Sequence, residues 1–128
     1  MQPTFLPDQI DVHRLLAHIG SGKTTETYRN NEKIYIQGEE ADFVFFVQEG
    51  CVELSVASAD GLNLLGIANK GQFFGEACLH QVPVRIASAT AIGDCRITLV
   101  AKEAMLTAIK DRPRFAGVFI DYLLDHNS

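Results

Sequence analysis

The chain has 128 residues, a formal net charge of -5, 47% hydrophobic and 21% charged residues, 10 Gly and 4 Pro. That length fits a single domain spanning 1–128 around one core, and that composition excludes the disordered, collagenous and membrane-spanning classes. The acidic balance, with 11 Lys and Arg scattered along the chain, also excludes nucleic acid held by this piece alone, because phosphate contacts need clustered cations.

Asp8 is placed to cap a first helix, with Ile10, Val12, Leu15, Leu16 and Ile19 at roughly helical spacing and Gly20 as its stop. Gly20-Ser21-Gly22-Lys23-Thr24-Thr25 looks like the core of a phosphate-gripping P-loop, but the first glycine of that motif would fall on Ala17. The segment also follows a helix and precedes a strand, the reverse of the P-loop order, so a turn with an exposed lysine is expected.

From Thr24 to Ala101 short β-branched and aromatic runs alternate with turn residues, which predicts strands near 24–28, 33–37, 43–48, 51–58, 62–68, 84–91 and 95–101. Glu49-Gly50 and Asp60-Gly61 stand between such runs, the second being a short-hairpin signal. The middle of the chain is therefore expected to be an antiparallel meander closing into a roll or barrel. The fold class is mainly β with flanking helices: an antiparallel β-roll, jelly-roll-like, with an N-terminal helix, a short helix in the middle and C-terminal helices. After Ala101 the period turns helical from Lys102 to Lys110, and Pro113 sits well in the first turn of a further helix. There Phe115, Val118, Phe119, Tyr122 and Leu123 form an apolar stripe that Ala116, Ile120 and Leu124 widen. Residues 113–128 thus look like the start of a dimerisation or linker helix, although a helix folded onto its own roll gives the same pattern.

Chemistry concentrates in Gly71-Gln72-Phe73-Phe74-Gly75-Glu76-Ala77-Cys78-Leu79 and, six residues later, Arg85-Ile86-Ala87-Ser88-Ala89. Gly75 permits a close turn into a short helical run, where the N–H groups of Glu76, Ala77 and Cys78 converge on a place suited to an anion. On a strand beginning near Val84, Arg85, Ala87 and Ala89 share one face, so a guanidinium stands beside small side chains and a cavity. An isolated buried charge is costly; Arg85 needs a carboxylate, a phosphate or both, and its fork suits phosphate oxygens. Glu76 suits a ribose hydroxyl. Side-chain chemistry alone leaves a second arrangement equally open, in which Glu76 and Arg85 simply pair with each other.

The stretch Phe74-Gly75-Glu76-Ala77-Cys78-Leu79 followed by Arg85-Ile86-Ala87-Ser88-Ala89 resembles the phosphate-binding cassette of cyclic-nucleotide-binding domains. Ile34 to Val52, with its glycine turn, its Ala41-Asp42 pair and Gly50 before a strand, is similar to the opening signature of the same family. The resemblance implies that Glu76 holds the ribose 2′-hydroxyl, Arg85 the cyclic phosphate, and the backbone around Gly75, Ala77 and Cys78 the phosphate oxygens, with Ile86, Ala87 and Ser88 completing the wall. Cys78 replaces the usual alanine, Pro83 lies one position early, and Ile86 stands where some members carry a polar residue. A roll followed by a helix resembles the N-terminal sensor domain of bacterial catabolite-activator (Crp/Fnr-type) transcription regulators. That implies a ligand of the cyclic AMP or cyclic GMP kind, a homodimer through the C-terminal helix, and DNA met only through a helix-turn-helix domain that this chain, ending at Ser128, lacks.

Other classes find less support. Cys51, Cys78 and Cys95 are odd in number and widely spaced, which fits neither a disulfide framework nor a CxxC or iron–sulfur site and suggests a reducing cytoplasm. The N-terminal residues Met1 to Pro7 have no basic and apolar export pattern. His13, His18, His80 and His126 have no metal-ligand spacing, and no nucleophile–base arrangement emerges, so no enzyme, metal or cofactor is expected. The alternative function is a degenerate roll that dimerises or binds a protein without binding nucleotide.

Overall fold

The computed structural model describes residues 16–17, 19–80, 84–114, 116–117 and 119–120. Two compact units divide the chain, one of Met1–Gly22 with Glu103–Ser128 and one of Lys23–Lys102.

Among its described residues the second unit holds six strands, β1 (Lys23–Tyr28), β2 (Lys33–Tyr35), β3 (Phe43–Ser58), β4 (Gly61–Asn69), β5 (Phe73–Phe74) and β6 (Ser88–Ala101). The sheet order is β1-β6-β3-β4, with β2 also on β6 and β5 also on β3, and every pairing is antiparallel. Among the described residues, only β3 and β4 are joined as a tight hairpin, with Ser58 opposite Gly61 across the expected Asp60-Gly61 turn. The expected meander therefore gives way to a roll in which the late strand β6 returns between β1 and β3.

Two long strands replace four short ones. Glu49-Gly50 is not a turn: β3 runs straight through it for 16 residues. The pairing of β3 with β6 shifts between Val47 and Glu49 and again between Glu49 and Cys51, which marks a bulge. The predicted 84–91 and 95–101 strands likewise merge into β6, which begins only at Ser88. A glycine inside a strand pattern signals a bulge as well as a break, and here the pairing carries on.

The core of this unit gathers Phe45, Val47, Val52, Ala68, Phe74, Ala89, Ala91, Cys95 and Ile97, with Tyr28, Ile34, Tyr35, Leu54 and Leu99 packed against it. Phe45 and Phe74 stack at 4.9 Å between ring centres. Such stacking adds to burial, which stabilises by about 1.5–3 kcal/mol per large apolar side chain. Alanines at 89 and 91 leave room for those rings. At the far edge of the sheet β4 leaves Leu62, Leu64, Leu65 and Ile67 exposed.

In the other unit Leu16 and Ile19 are buried, and the remainder of the predicted first helix, including the Asp8 cap, lies outside the described residues. Helix α1 (Lys102–Asp111) runs one residue past its expected end and buries Met105 and Ala108; its first residue, Lys102, belongs to the strand-bearing unit, where its N–H donates to the Asp42 carbonyl at 2.9 Å. Residues 113–114, 116–117 and 119–120 are helical; Phe119 is buried and Ile120 exposed. Phe115, Val118, Tyr122, Leu123 and Leu124 lie outside the residues whose side chains are described. Among the described residues no helix is long and apolar enough to cross a membrane.

Candidate phosphate-binding site

The site is built where β5 ends. Phe74 pairs with Phe45 of β3, and the next residue, Gly75, turns the chain at φ +75 into a 3-10 helix, Glu76–His80. A side chain at Gly75 would put its Cβ 2.9 Å from Arg85 Nη1, 3.1 Å from Phe45 Cδ1 and 3.4 Å from Tyr35 Oη. Glycine is thus required twice, by its left-handed backbone and by the groups crowded in front of it.

Arg85 approaches from the other side. Its backbone is fixed before β6 begins: its N–H donates to the Glu39 carbonyl at 2.7 Å, and its own carbonyl accepts from Gly38 N–H at 2.8 Å. The residue therefore sits in irregular chain between an isolated bridge of Val84 with Glu40 and a bend at 86–87, not on the strand that the alternation suggested. The burial phase survives, with Arg85, Ala87 and Ala89 buried and Val84 and Ile86 exposed.

The guanidinium lies in the interior, Arg85 being 5% exposed. Its Nη1 donates to the Gly75 carbonyl at 2.9 Å and its Nη2 to the Phe43 carbonyl at 2.5 Å. Its central carbon stands 4.2 Å from the centre of the Tyr35 ring and 5.2 Å from that of Phe45. The third nitrogen, Nε, is buried with no hydrogen-bond partner. A buried unpaired N–H on a cation costs on the order of 1–3 kcal/mol, and an incoming anionic oxygen would remove that cost. The expectation of a guanidinium beside small side chains alone is corrected: aromatic rings flank it, because strand β2 brings Tyr35 across from a distant part of the chain.

Burial pushes the Tyr35 phenol up to about 12, Arg85 opposing the rise and Glu76 and Cys78 adding to it. The phenol is therefore a neutral donor at any physiological pH, within the electrostatic reach of both Glu76 and Arg85. Cys78 is buried, and burial raises its thiol too, with Arg85 again opposing. Among the described residues no group of three or more His, Cys, Asp and Glu could hold a metal ion.

Residues 25–112 match the family model of the cyclic nucleotide-binding domain. The chain belongs to that family. Over 106 residues it is 33% identical to the cAMP-dependent protein kinase type II regulatory subunit of Drosophila melanogaster, covering 83% of this chain and 26% of the relative. Over 84 residues it is 30% identical to the CRP-like cAMP-activated global transcriptional regulator of Mycobacterium tuberculosis, covering 65% of this chain and 38% of the relative. Among solved structures, the sensor domain of the transcriptional regulator DNR from Pseudomonas aeruginosa superposes with a TM-score of 0.74 at 20% identity, covering 94% of this chain and 91% of that one. The cyclic nucleotide-binding domain thus spans most of this chain, whereas the chain spans well under half the length of the two curated relatives.

Within this cyclic nucleotide-binding domain the structure brings Gly75 against Arg85, with Glu76 opening the 3-10 helix beside them. Ala87 is buried behind Arg85, and Ser88 accepts the Gln37 N–H at 2.9 Å through its Oγ. Ile86 lies off the buried row and is 59% exposed. Reading residue types in sequence missed Tyr35, Phe43 and Phe45, all of which touch Arg85. Phe43 takes part through its carbonyl, which no side-chain pattern announces.

Proposed function

We propose that this chain is a cyclic-nucleotide sensor, binding cyclic AMP or cyclic GMP at Arg85 and passing occupancy on through its C-terminal helix rather than catalysing a reaction. The observation that carries this is the buried guanidinium of Arg85, whose Nε has no partner, facing the left-handed Gly75. Family membership and relatives described as cAMP-dependent and cAMP-activated support the same ligand class. In this function Arg85 grips the cyclic phosphate, Glu76 accepts the ribose 2′-hydroxyl, the backbone of Gly75, Ala77 and Cys78 presents N–H groups, and Ala87 and Ser88 back the site. A bound anion that redirects Arg85 shifts a two-state equilibrium, which residues 113–128 transmit to a partner subunit in a homodimer. DNA contact falls to a separate helix-turn-helix domain, and the setting is the cytoplasm.

Titration calorimetry with cyclic AMP and cyclic GMP tests the function. Charge-assisted contacts are worth roughly 1.5–3 kcal/mol, so Arg85→Ala should weaken binding about 10- to 150-fold. A second function, a degenerate roll that binds a protein or itself, is favoured by one observation: both terminal nitrogens of Arg85 already rest on carbonyls. Wild-type protein giving no heat with either nucleotide would select that second function.

A further inference from the structure

Three groups from separate strands and turns converge in front of Gly75: the Arg85 guanidinium, the Phe45 ring edge and the Tyr35 hydroxyl. Two of the three are polar hydrogen donors. The Tyr35 ring lies over the guanidinium at 4.2 Å and tilts against Phe45 and Phe74 with ring centres 5.3 and 6.0 Å apart. Such packing holds the ring in place and leaves the hydroxyl as its polar tip. The charges of both Glu76 and Arg85 act on the phenol.

We propose that Tyr35 is a second anion-contacting side chain of this site beside Arg85, its ring clamping the Arg85 guanidinium and its hydroxyl donating to an oxygen of the bound phosphate. The inference rests on the nucleotide-binding function above and adds to it a residue that reaches the phosphate from β2. Stacking fixes the plane of the fork, so that less freedom is lost when the phosphate arrives. The phenol stays protonated near the anion because its environment disfavours the phenolate, and it delivers a charge-assisted hydrogen bond without adding positive charge.

Tyr35→Phe keeps the ring over Arg85 and removes only the hydroxyl. Calorimetry on the 128-residue wild type and Tyr35→Phe should show cyclic AMP or cyclic GMP bound about tenfold more weakly by the variant, the effect of one hydrogen bond to a charged group. Equal affinity in the two proteins overturns the role of Tyr35 while leaving the nucleotide function standing; a wild type that binds neither nucleotide removes both. A second readout needs no variant of altered stability. In wild type labelled at tyrosine Cζ, three resonances arise from Tyr28, Tyr35 and Tyr122, and the one missing from Tyr35→Phe, or left after Tyr28→Phe and Tyr122→Phe are assigned, should shift on nucleotide addition. A Tyr35 resonance unmoved at saturating nucleotide rules the contact out.

Discussion

Gly50 and Gly75 are both held in the left-handed region against a residue from the later part of the chain, and they differ in what that residue is. At Gly50, φ +90, a Cβ would lie 2.6 Å from the Asp94 carbonyl oxygen and 2.7 Å from Cys95 Sγ. At Gly75 the nearest atom, 2.9 Å away, is the tip of the Arg85 side chain. The Cys95 thiol is neutral, buried in the core, and 3.1 Å from the Cys51 carbonyl that accepts its proton. Arg85 is charged and keeps one nitrogen unpaired. The same backbone device therefore locks a bulge in one place and, in the other, faces a buried cation with one unpaired nitrogen, which we propose as the ligand contact.

The contrast can be broken most sharply by Gly50→Ala. Its Cβ meets a main-chain oxygen that cannot swing aside, on a backbone that disfavours it, so urea unfolding should show a loss of about 3 kcal/mol or more. Nucleotide affinity of the folded fraction should not change. Gly75→Ala meets a flexible side-chain end instead and should cost about 1–2 kcal/mol of stability, while calorimetry shows most of its harm in nucleotide affinity because Arg85 must move. If the two variants lose equal stability, or only Gly50→Ala loses affinity, the distinction between bulge and site is wrong.

An alkaline titration sharpens it further. Burial raises the Tyr35 phenol and the Cys78 and Cys95 thiols, so the folded state holds these protons more tightly than the unfolded chain. Their contribution to stability is full below about pH 9, where thiols in the unfolded chain begin to ionise, and is lost as pH rises through the folded values toward about 12. Melting temperature should fall across that window, and Tyr35→Phe should flatten its upper end; an unchanged profile would show that Tyr35 is not buried. The smallest effect belongs to Glu49, whose carboxylate meets Lys70 at 3.3 Å and Arg96 at 3.5 Å with all three side chains half-exposed or more. Glu49→Gln should change stability by about 0.5 kcal/mol or less, and less still in high salt.

The Asp60-Gly61 hairpin, helix α1 and the turn at Gly75 were legible in the sequence, because each depends on residues near one another. It misplaced the strand count because Gly50 reads as punctuation wherever a run of Val and Phe meets it, and only pairing with β6 shows that β3 continues. Strand β5 escaped because two residues carry no period. The surroundings of Arg85 were hidden for a different reason. Phe43 contributes a carbonyl, which every residue has, and Tyr35 arrives from 50 positions upstream, a distance that local patterning does not span.

The Phe43 carbonyl that receives Arg85 stands beside another occupied acceptor. One peptide earlier, the Asp42 carbonyl receives the N–H of Lys102, the residue that opens α1. Phe43 also lies opposite Ala101 in the ladder. A ligand that draws the guanidinium off Phe43 thus releases an oxygen adjacent to the one on which the helix begins. The buried cation and the first residue of the helix thus rest on the two neighbouring carbonyls of one Asp42-Phe43 dipeptide.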